Sequence, residues 1–146
     1  MKKFLTEYTA ILSSVPKRLV DIADPDAENK PAPGRWSKKE ILGHLIDSVA
    51  NNHQRFVRAQ FVPHLEFPSY DQNAWVAAEA YATESWPDLV NLWLLYNRHL
   101  LHVLRHLPED AWNHQISIGG KAPMALSAVA EDYLQHMNHH LAQILG

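Results

Sequence analysis

Cysteine is absent from the 146-residue sequence, which excludes disulfides, thiolate metal ligands and a cysteine nucleophile together. Any metal ion must therefore be bound through nitrogen or oxygen, and any thiol chemistry needs a thiol that the substrate brings. Long apolar runs are also missing, because the most apolar stretch, residues 89–107, contains Asn91, Asn97, Arg98 and Arg105. A membrane-spanning helix needs about 18 apolar residues in succession, so we expect no membrane insertion.

A surplus of basic charge is lacking as well. The 13 Lys and Arg residues are outnumbered by 16 Asp and Glu, giving a net charge of −3 with neutral histidines. Because nucleic acid binding needs Lys and Arg gathered on one face, we expect no nucleic-acid partner. The N-terminus shows no apolar signal core, since Glu7 follows closely after Lys2 and Lys3. We therefore expect a cytoplasmic location.

Apolar residues recur at three- and four-residue spacing along four segments, which is the pattern of amphipathic helices. The segments run approximately over residues 3–22, 37–61, 85–107 and 126–145. Pro16 interrupts the first pattern, so we expect a kink or a break there. The second pattern begins at Ser37 and Glu40, whose types and spacing form a capping box.

The segments between these helices carry weaker signals. Residues 24–34 are rich in Asp, Pro and Ala and are predicted as a loop, and residues 62–84 form a long connection with a short helix over 72–80. No strong pair of strands is visible, although residues 114–118 alternate weakly. The length fits a single domain over residues 1–146. We predict an all-α four-helix bundle with up-down helices and a long connection after the second helix.

Histidine is unusually frequent, with ten residues in the chain, and neutral imidazole is the commonest metal ligand. His136 and His140 are four residues apart on the last predicted helix, so both side chains point the same way on adjacent turns. Asp132 and Gln143 fall in the same arc and could accept hydrogen bonds from these imidazoles. Catalytic metal sites usually use three protein ligands, so a third ligand must come from another segment.

Two sources of that third ligand remain open on spacing alone. His44 is one, because Ser48, Asn51 and Arg55 follow it along a polar side of the second helix. Such a side is equally typical of a helix face in contact with solvent.

The third helix carries a rival set with better local metal spacing: His99, His102 and His106. This set points away from the apolar face of its own helix. We therefore predict that it lies at the surface or in a dimer interface.

Three segments resemble signatures of the DinB/YfiT-like superfamily and follow the order in which that family has them. Residues 36–48, Trp-Ser-Lys-Lys-Glu-Ile-Leu-Gly-His-Leu-Ile-Asp-Ser, resemble the signature of its second helix. Residues 68–71, Pro-Ser-Tyr-Asp, with Trp75 following, resemble its next connection, and residues 136–143 resemble the signature of its last helix. The resemblance covers essentially the whole chain and implies a four-helix bundle that often forms homodimers.

The resemblance also implies a ligand set and a chemistry. Carried over position by position, His44, His136 and His140 bind one divalent metal ion, and an all-nitrogen set suits zinc or nickel. Members of the family include thiol-dependent S-transferases, a mycothiol-dependent isomerase and proteins labelled as metal-dependent hydrolases. We predict a metal-dependent S-transferase that uses a low-molecular-weight thiol and a small-molecule substrate. A metal-dependent hydrolase and a non-catalytic metal-binding or interaction module are the alternatives.

Four further residues are candidates for roles at this site. Asp47 is expected to orient a ligand or act as general base, and Arg55 to bind an anionic group of the thiol or substrate. Tyr70 and Trp75 are expected to wall the pocket mouth. Each also has a purely structural interpretation: an exposed helix carboxylate, a surface salt bridge and aromatic packing of a long connection.

Overall fold

The computed structural model describes residues 1–146. Its long helices are α1 (Lys2–Val20), α3 (Lys38–Arg58), α5 (Trp86–Arg105) and α6 (Leu126–Leu145). The connections contain α2 (Asp24–Glu28), α4 (Gln72–Ala78), β1 (His64–Phe67), β2 (Gln115–Ile118), β3 (Met124–Ala125) and single turns of tighter helix at Tyr81–Thr83 and Asp110–Asn113. The predicted four-helix bundle is confirmed. No helix combines the length and the apolar character that crossing a membrane requires.

The helix starts follow the capping signals of the sequence. The Ser37 hydroxyl accepts the Glu40 backbone N–H at 3.2 Å, and the Glu40 carboxylate accepts the Ser37 N–H at 3.1 Å, which satisfies two free donors of α3. Ser85 caps α5 in a similar way, through the backbone N–H of Asp88. These caps set where α3 begins, and therefore how far along it each site residue lies.

Helix α1 continues through Pro16, so the predicted break does not occur. Proline removes one backbone donor and leaves the Leu12 carbonyl without its usual partner. The buried side chains of Leu12 and Leu19 stand on either side of Pro16 and hold both halves of the helix against the bundle. Tertiary packing therefore outweighs the local preference for a break.

The four long helices form a closed ring of contacts. Helix α3 packs against α5 and α6, and α1 packs against the same two helices, so α1 and α3 are diagonal although they are successive long helices. Near the start of α3, His44 contacts His140 in the second half of α6, whereas Arg55 near the end of α3 lines a cavity together with Val129 near the start of α6. Helices α3 and α6 are therefore antiparallel.

A buried polar network ties three of these helices together. The hydroxyls of Tyr8 and Tyr133 donate to Asn97 Oδ1 at 2.7 and 2.5 Å, and Asn97 Nδ2 donates to the Trp93 carbonyl at 2.8 Å. All four residues are buried in the apolar core. A satisfied network of this kind restricts the helices to one relative placement.

The segment predicted as a loop over residues 24–34 begins instead with α2. Pro25 stands in the first turn of this helix, where proline is favoured. Asp24 receives the Lys39 ammonium at 2.6 Å and the Trp86 backbone N–H at 3.0 Å. Lys39 is 4% exposed, so its charge needs this carboxylate, and α2 fastens α3 to α5.

The weak alternation over residues 114–118 corresponds to β2, which is the middle strand of a small sheet. Strand β1 pairs with β2 in parallel, and β3 pairs with β2 in antiparallel register. The sequence did not reveal β1 or β3, since strands of four and two residues are too short for a periodic signal. Because β1 follows α3 and β3 leads into α6, the sheet lies at the end of the bundle where these helices end and begin.

Candidate metal centre

Three imidazoles converge where α3 packs against α6. Nε2 of His44 lies 2.9 Å from Nε2 of His136, and one nitrogen from each of these two and His140 lies within 4.8 Å of the others. Tetrahedral zinc bound at about 2.0–2.1 Å places its nitrogen ligands about 3.3–3.4 Å apart, a value that the observed separations bracket. We call these residues the three-histidine cluster.

Two features of local sequence place the cluster. His136 and His140 lie on adjacent turns of α6, and His44 follows Gly43 on α3. A Cβ atom at position 43 would lie 2.1 Å from Cδ2 of Tyr81. Glycine is therefore needed for the Tyr81 ring to lie directly against α3 beside His44.

The cluster is electrostatically suited to binding a cation. Burial, reinforced by the neighbouring imidazoles, lowers the pKa of His44 to about 3 and that of His136 to about 4. Burial also lowers the pKa of His140. All three imidazoles are therefore neutral at pH 7, which is the form that binds metals.

Neighbouring side chains orient two of the imidazoles. His140 Nδ1 lies 2.8 Å from Gln143 Oε1, an acceptor, so Nδ1 carries the proton and Nε2 is free to bind a metal. The Trp36 ring stacks on His44 with ring centroids 5.1 Å apart. Nδ1 of His44 is buried and has no hydrogen-bond partner.

Asp47 follows His44 by three residues on α3 and lies against Tyr81. It is 2% exposed, and the Tyr81 hydroxyl donates to its Oδ1 at 2.7 Å, while Oδ2 is buried without a partner. Burial raises the pKa of Asp47 to about 6, although the hydrogen bond from Tyr81 opposes the rise. The carboxyl group therefore titrates just below neutral pH.

Two separate cavities reach the cluster. The His136 cavity has a volume of about 130 Å³ and is lined by Ser48, Asn52, Arg55, Tyr70, Ile118, Met124, Val129, Asp132, Tyr133 and His136. The His140 cleft is larger, about 540 Å³, and is lined by Pro31, Gly34, Arg35, Trp36, Ile41, Gln72, Asn73, His140 and Gln143. The cluster therefore has free space on two sides.

Only some of the residues predicted around the site line one of the two cavities. Arg55 and Tyr70 line the His136 cavity, whereas Asp47 lines neither space. Trp75 is 36% exposed and packs on Tyr70 with ring centroids 5.0 Å apart. Asn51 donates to the Asp47 carbonyl and does not line the cavity, where Asn52 lies instead.

Sequence reasoning missed Trp36 and Tyr81 as neighbours of the site. The indole of Trp36 precedes the Ser37 cap and was interpretable only as apolar packing at a helix start. Tyr81 reaches α3 from a connection that had no helical pattern. A glycine inside α3 at position 43 is the signal that could have indicated a close approach by another group.

The rival set, His99, His102 and His106, is exposed along α5 and at its C-terminal cap, and we call it the α5 histidine stripe. Two of its rings are close together, because the ring centroids of His102 and His106 are 4.4 Å apart. Three ligand atoms nevertheless converge on one point in the three-histidine cluster and not in the stripe. The predicted surface location of the stripe is confirmed.

Comparison with protein-family models finds a match to the DinB superfamily over residues 7–144. No curated protein sequence matches the chain.

Solved structures show the same fold. YfiT from Bacillus subtilis, described as a probable metal-dependent hydrolase with an unusual four-helix bundle topology, superposes with a TM-score of 0.81 at 22% identity over 99% of this chain and 85% of that one. The mycothiol-dependent maleylpyruvate isomerase superposes with a TM-score of 0.74 at 17% identity, and this chain spans 60% of its length. The DinB-like protein YjoA from Bacillus subtilis superposes with a TM-score of 0.69 at 16% identity, over 97% of this chain and 86% of that one.

Proposed function

The chain belongs to the DinB superfamily, and on this premise we propose that it is a divalent-metal-dependent enzyme that transfers a low-molecular-weight thiol to an electrophilic small molecule. The two cavities beside the three-histidine cluster support this proposal. An S-transferase must bring two molecules to one centre, whereas hydrolysis needs room for one substrate and a water molecule. Separate spaces at His136 and His140 match the first requirement.

The residues present fit a metal ion. His44, His136 and His140 offer three neutral nitrogens at one point, a set that suits zinc or nickel. When bound, the ion would lower the pKa of a coordinated thiol or water towards neutrality. Gln143 accepts the Nδ1–H of His140 and so leaves Nε2 free to bind the ion, and the Trp36 ring packs against the His44 ring.

Asp47 is proposed to orient the site from within α3, because it lines neither cavity and its Oδ1 accepts the Tyr81 hydroxyl. A group that takes a proton directly from a substrate must lie within hydrogen-bond reach of it, so Asp47 acts through its neighbours. Tyr70 is proposed to wall the cavity that receives one substrate, and Trp75 to hold the Tyr70 ring in place.

The test is thiol-dependent consumption of an electrophile by untagged, zinc-loaded protein, with cysteine, glutathione or coenzyme A as thiol and chlorodinitrobenzene as electrophile. The rate should follow zinc occupancy. It should fall more than about 100-fold in His44→Ala, because even outer contacts of metal ligands contribute 10- to 100-fold. His102→Ala, in the exposed α5 histidine stripe, is the matched control and should leave the rate unchanged.

Two results would overturn the proposal in different ways. Hydrolysis of nitrophenyl acetate without thiol, and no thiol-dependent rate, would replace the transferase by a hydrolase. Full activity in His44→Ala would remove the three-histidine cluster from the reaction.

A further inference from the structure

The His136 cavity has a cationic far end. Arg55 follows His44 on α3 by eleven residues. In a helix this spacing separates their Cα atoms by about 16 Å along the axis and directs the two side chains to nearly the same side. Both Arg55 and His136 line this cavity. A molecule in the cavity can therefore contact the guanidinium at one end while its other end faces the three-histidine cluster.

The guanidinium of Arg55 is held in place but poorly paired. It stacks on the Phe67 ring at 5.3 Å and makes one long hydrogen bond, 3.4 Å, to Asn52 Oδ1. Nε is buried without a partner, and no carboxylate lies within 4.0 Å of this side chain. A half-buried charge with an unsatisfied donor is costly unless a ligand completes its hydrogen bonds.

The surroundings favour a single carboxylate over a polyanion. Asp132 also lines the cavity, but it is exposed to solvent and forms no ion pair with Arg55, so it offsets the Arg55 charge only in part. The sheet supplies apolar wall from Ile118 and Met124. The volume, about 130 Å³, admits a short aliphatic chain. Planar guanidinium groups bind carboxylates through two parallel hydrogen bonds.

We propose that Arg55 is the carboxylate-binding residue of the His136 cavity and selects substrates with a carboxylate at the end remote from the reacting group. The chemistry at the other end rests on the proposed function, but the anion subsite does not require it. The carboxylate can belong to the thiol or to the electrophile.

The first experiment needs neither metal nor turnover. Metal-free ¹⁵N-labelled protein is titrated with propionate, and with propionamide as the neutral analogue, while the Arg55 Nε–H and Asn52 amide signals are followed by NMR. Propionate should shift both signals saturably, and propionamide should have at least about tenfold weaker effect, the ratio expected for one charge-assisted hydrogen-bond pair. Equal effects of the two compounds, or no effect of either, would overturn the proposal.

Variants separate binding from folding. Arg55→Gln should abolish the Asn52 response, and Arg55→Lys, which keeps the charge without the planar pair, should retain a weakened one. Arg58→Gln removes an exposed arginine of the same helix and is the matched control. A propionate response that persists in Arg55→Gln would assign the anion to another residue.

A second experiment assigns the carboxylate to one substrate. Cobalt-loaded protein is titrated with mercaptohexanoate and with mercaptohexanol, and the sulfur-to-cobalt absorption band reports thiol binding. About tenfold tighter binding of the carboxylate, lost in Arg55→Gln, places the carboxylate on the thiol. Equal binding together with a positive propionate titration supports the subsite and places the carboxylate on the electrophile. No cobalt band with any thiol counts against the proposed function alone, because the propionate titration still decides the subsite.

Discussion

The three-histidine cluster and the α5 histidine stripe contain the same number of imidazoles but differ in where the ligand atoms lie. His99, His102 and His106 have the denser spacing, yet they lie along the exposed face of one helix and do not meet at a point. His44 is 92 residues from His136 in sequence and 2.9 Å from it in space. A metal site therefore depends on convergence and partial burial, which one helix surface does not supply.

The largest expected difference between the two sets is in metal content. His44→Ala and His136→Ala should each reduce bound zinc from about one per chain to near zero, because two imidazoles alone hold the ion poorly. His99→Ala and His102→Ala should leave it unchanged. Elemental analysis of untagged, dialysed protein measures the content. Zinc that disappears only in the α5 variants would reverse the assignment.

The packing of Tyr81 against α3 beside the cluster should matter more for stability than the exposed imidazoles of the stripe. In Gly43→Ala the new methyl would overlap the Tyr81 ring, and we expect a loss of about 3 kcal/mol in the free energy of unfolding. Urea denaturation measures it, with His99→Ala expected within about 0.5 kcal/mol of wild type. Glycine-to-alanine changes inside helices usually stabilise, so a gain in Gly43→Ala would contradict the packing of Tyr81.

Asp47 gives a pH-dependent test of the same region in metal-free protein. Its folded-state pKa is raised to about 6, so its ionisation destabilises the folded state progressively as pH rises from about 4 to 6. Asp47→Asn keeps an acceptor for Tyr81 and cannot ionise. It should be more stable than wild type by about 3 kcal/mol at pH 7.5 and close to it near pH 4. A constant difference across this range would show that Asp47 is not the titrating group.

A smaller effect is expected from the contact that orients His140. Gln143→Ala removes the acceptor for His140 Nδ1 and should weaken zinc binding about tenfold. Competition with a chromophoric chelator measures the affinity. His139→Ala removes a neighbouring imidazole that touches Gln143 but does not belong to the cluster, and it should change the affinity less than about twofold. An unchanged affinity in Gln143→Ala would show that this contact does not orient a ligand.

A substitution on the side of α5 that carries the stripe should change the oligomeric state of the protein and leave its zinc content unchanged. Leu92 and Leu95 are 43% and 61% exposed on this helix, and we expect a homodimer that covers them. Leu95→Glu should then shift the mass measured by light scattering from dimer towards monomer with no change in zinc content. A monomeric wild-type protein would contradict the expectation.

Local signals in the sequence were sufficient for the helices and for one part of the site. The Ser37 capping box and the Ser85 cap were readable because capping is settled by residues three apart. The facing pair His136 and His140 followed from helical geometry alone. The third ligand could be chosen over the α5 stripe only through the resemblance to a family.

Other features depended on contacts between distant segments. Asn51 seemed to belong to the polar side of α3, but the rotation of α3 in the bundle brings Asn52 into the cavity instead. Helix α2 forms around the buried Lys39 ion pair, and the sheet closes the cavity with strands too short to show a period.

The amino-acid sequence alone was enough to predict a four-helix bundle, to exclude cysteine ligands and a cysteine nucleophile, and to mark two imidazoles on one face, because helical periodicity, composition and capping are local properties. The family resemblance added His44 to that pair, whereas the distances between the three imidazoles, the two cavities and the burial that keeps the imidazoles neutral came only from the tertiary structure. Those features arise because α3 packs antiparallel to α6, which removes the facing side chains of the two helices from water. Neither the distance between two segments nor the desolvation at their interface is encoded in one segment alone.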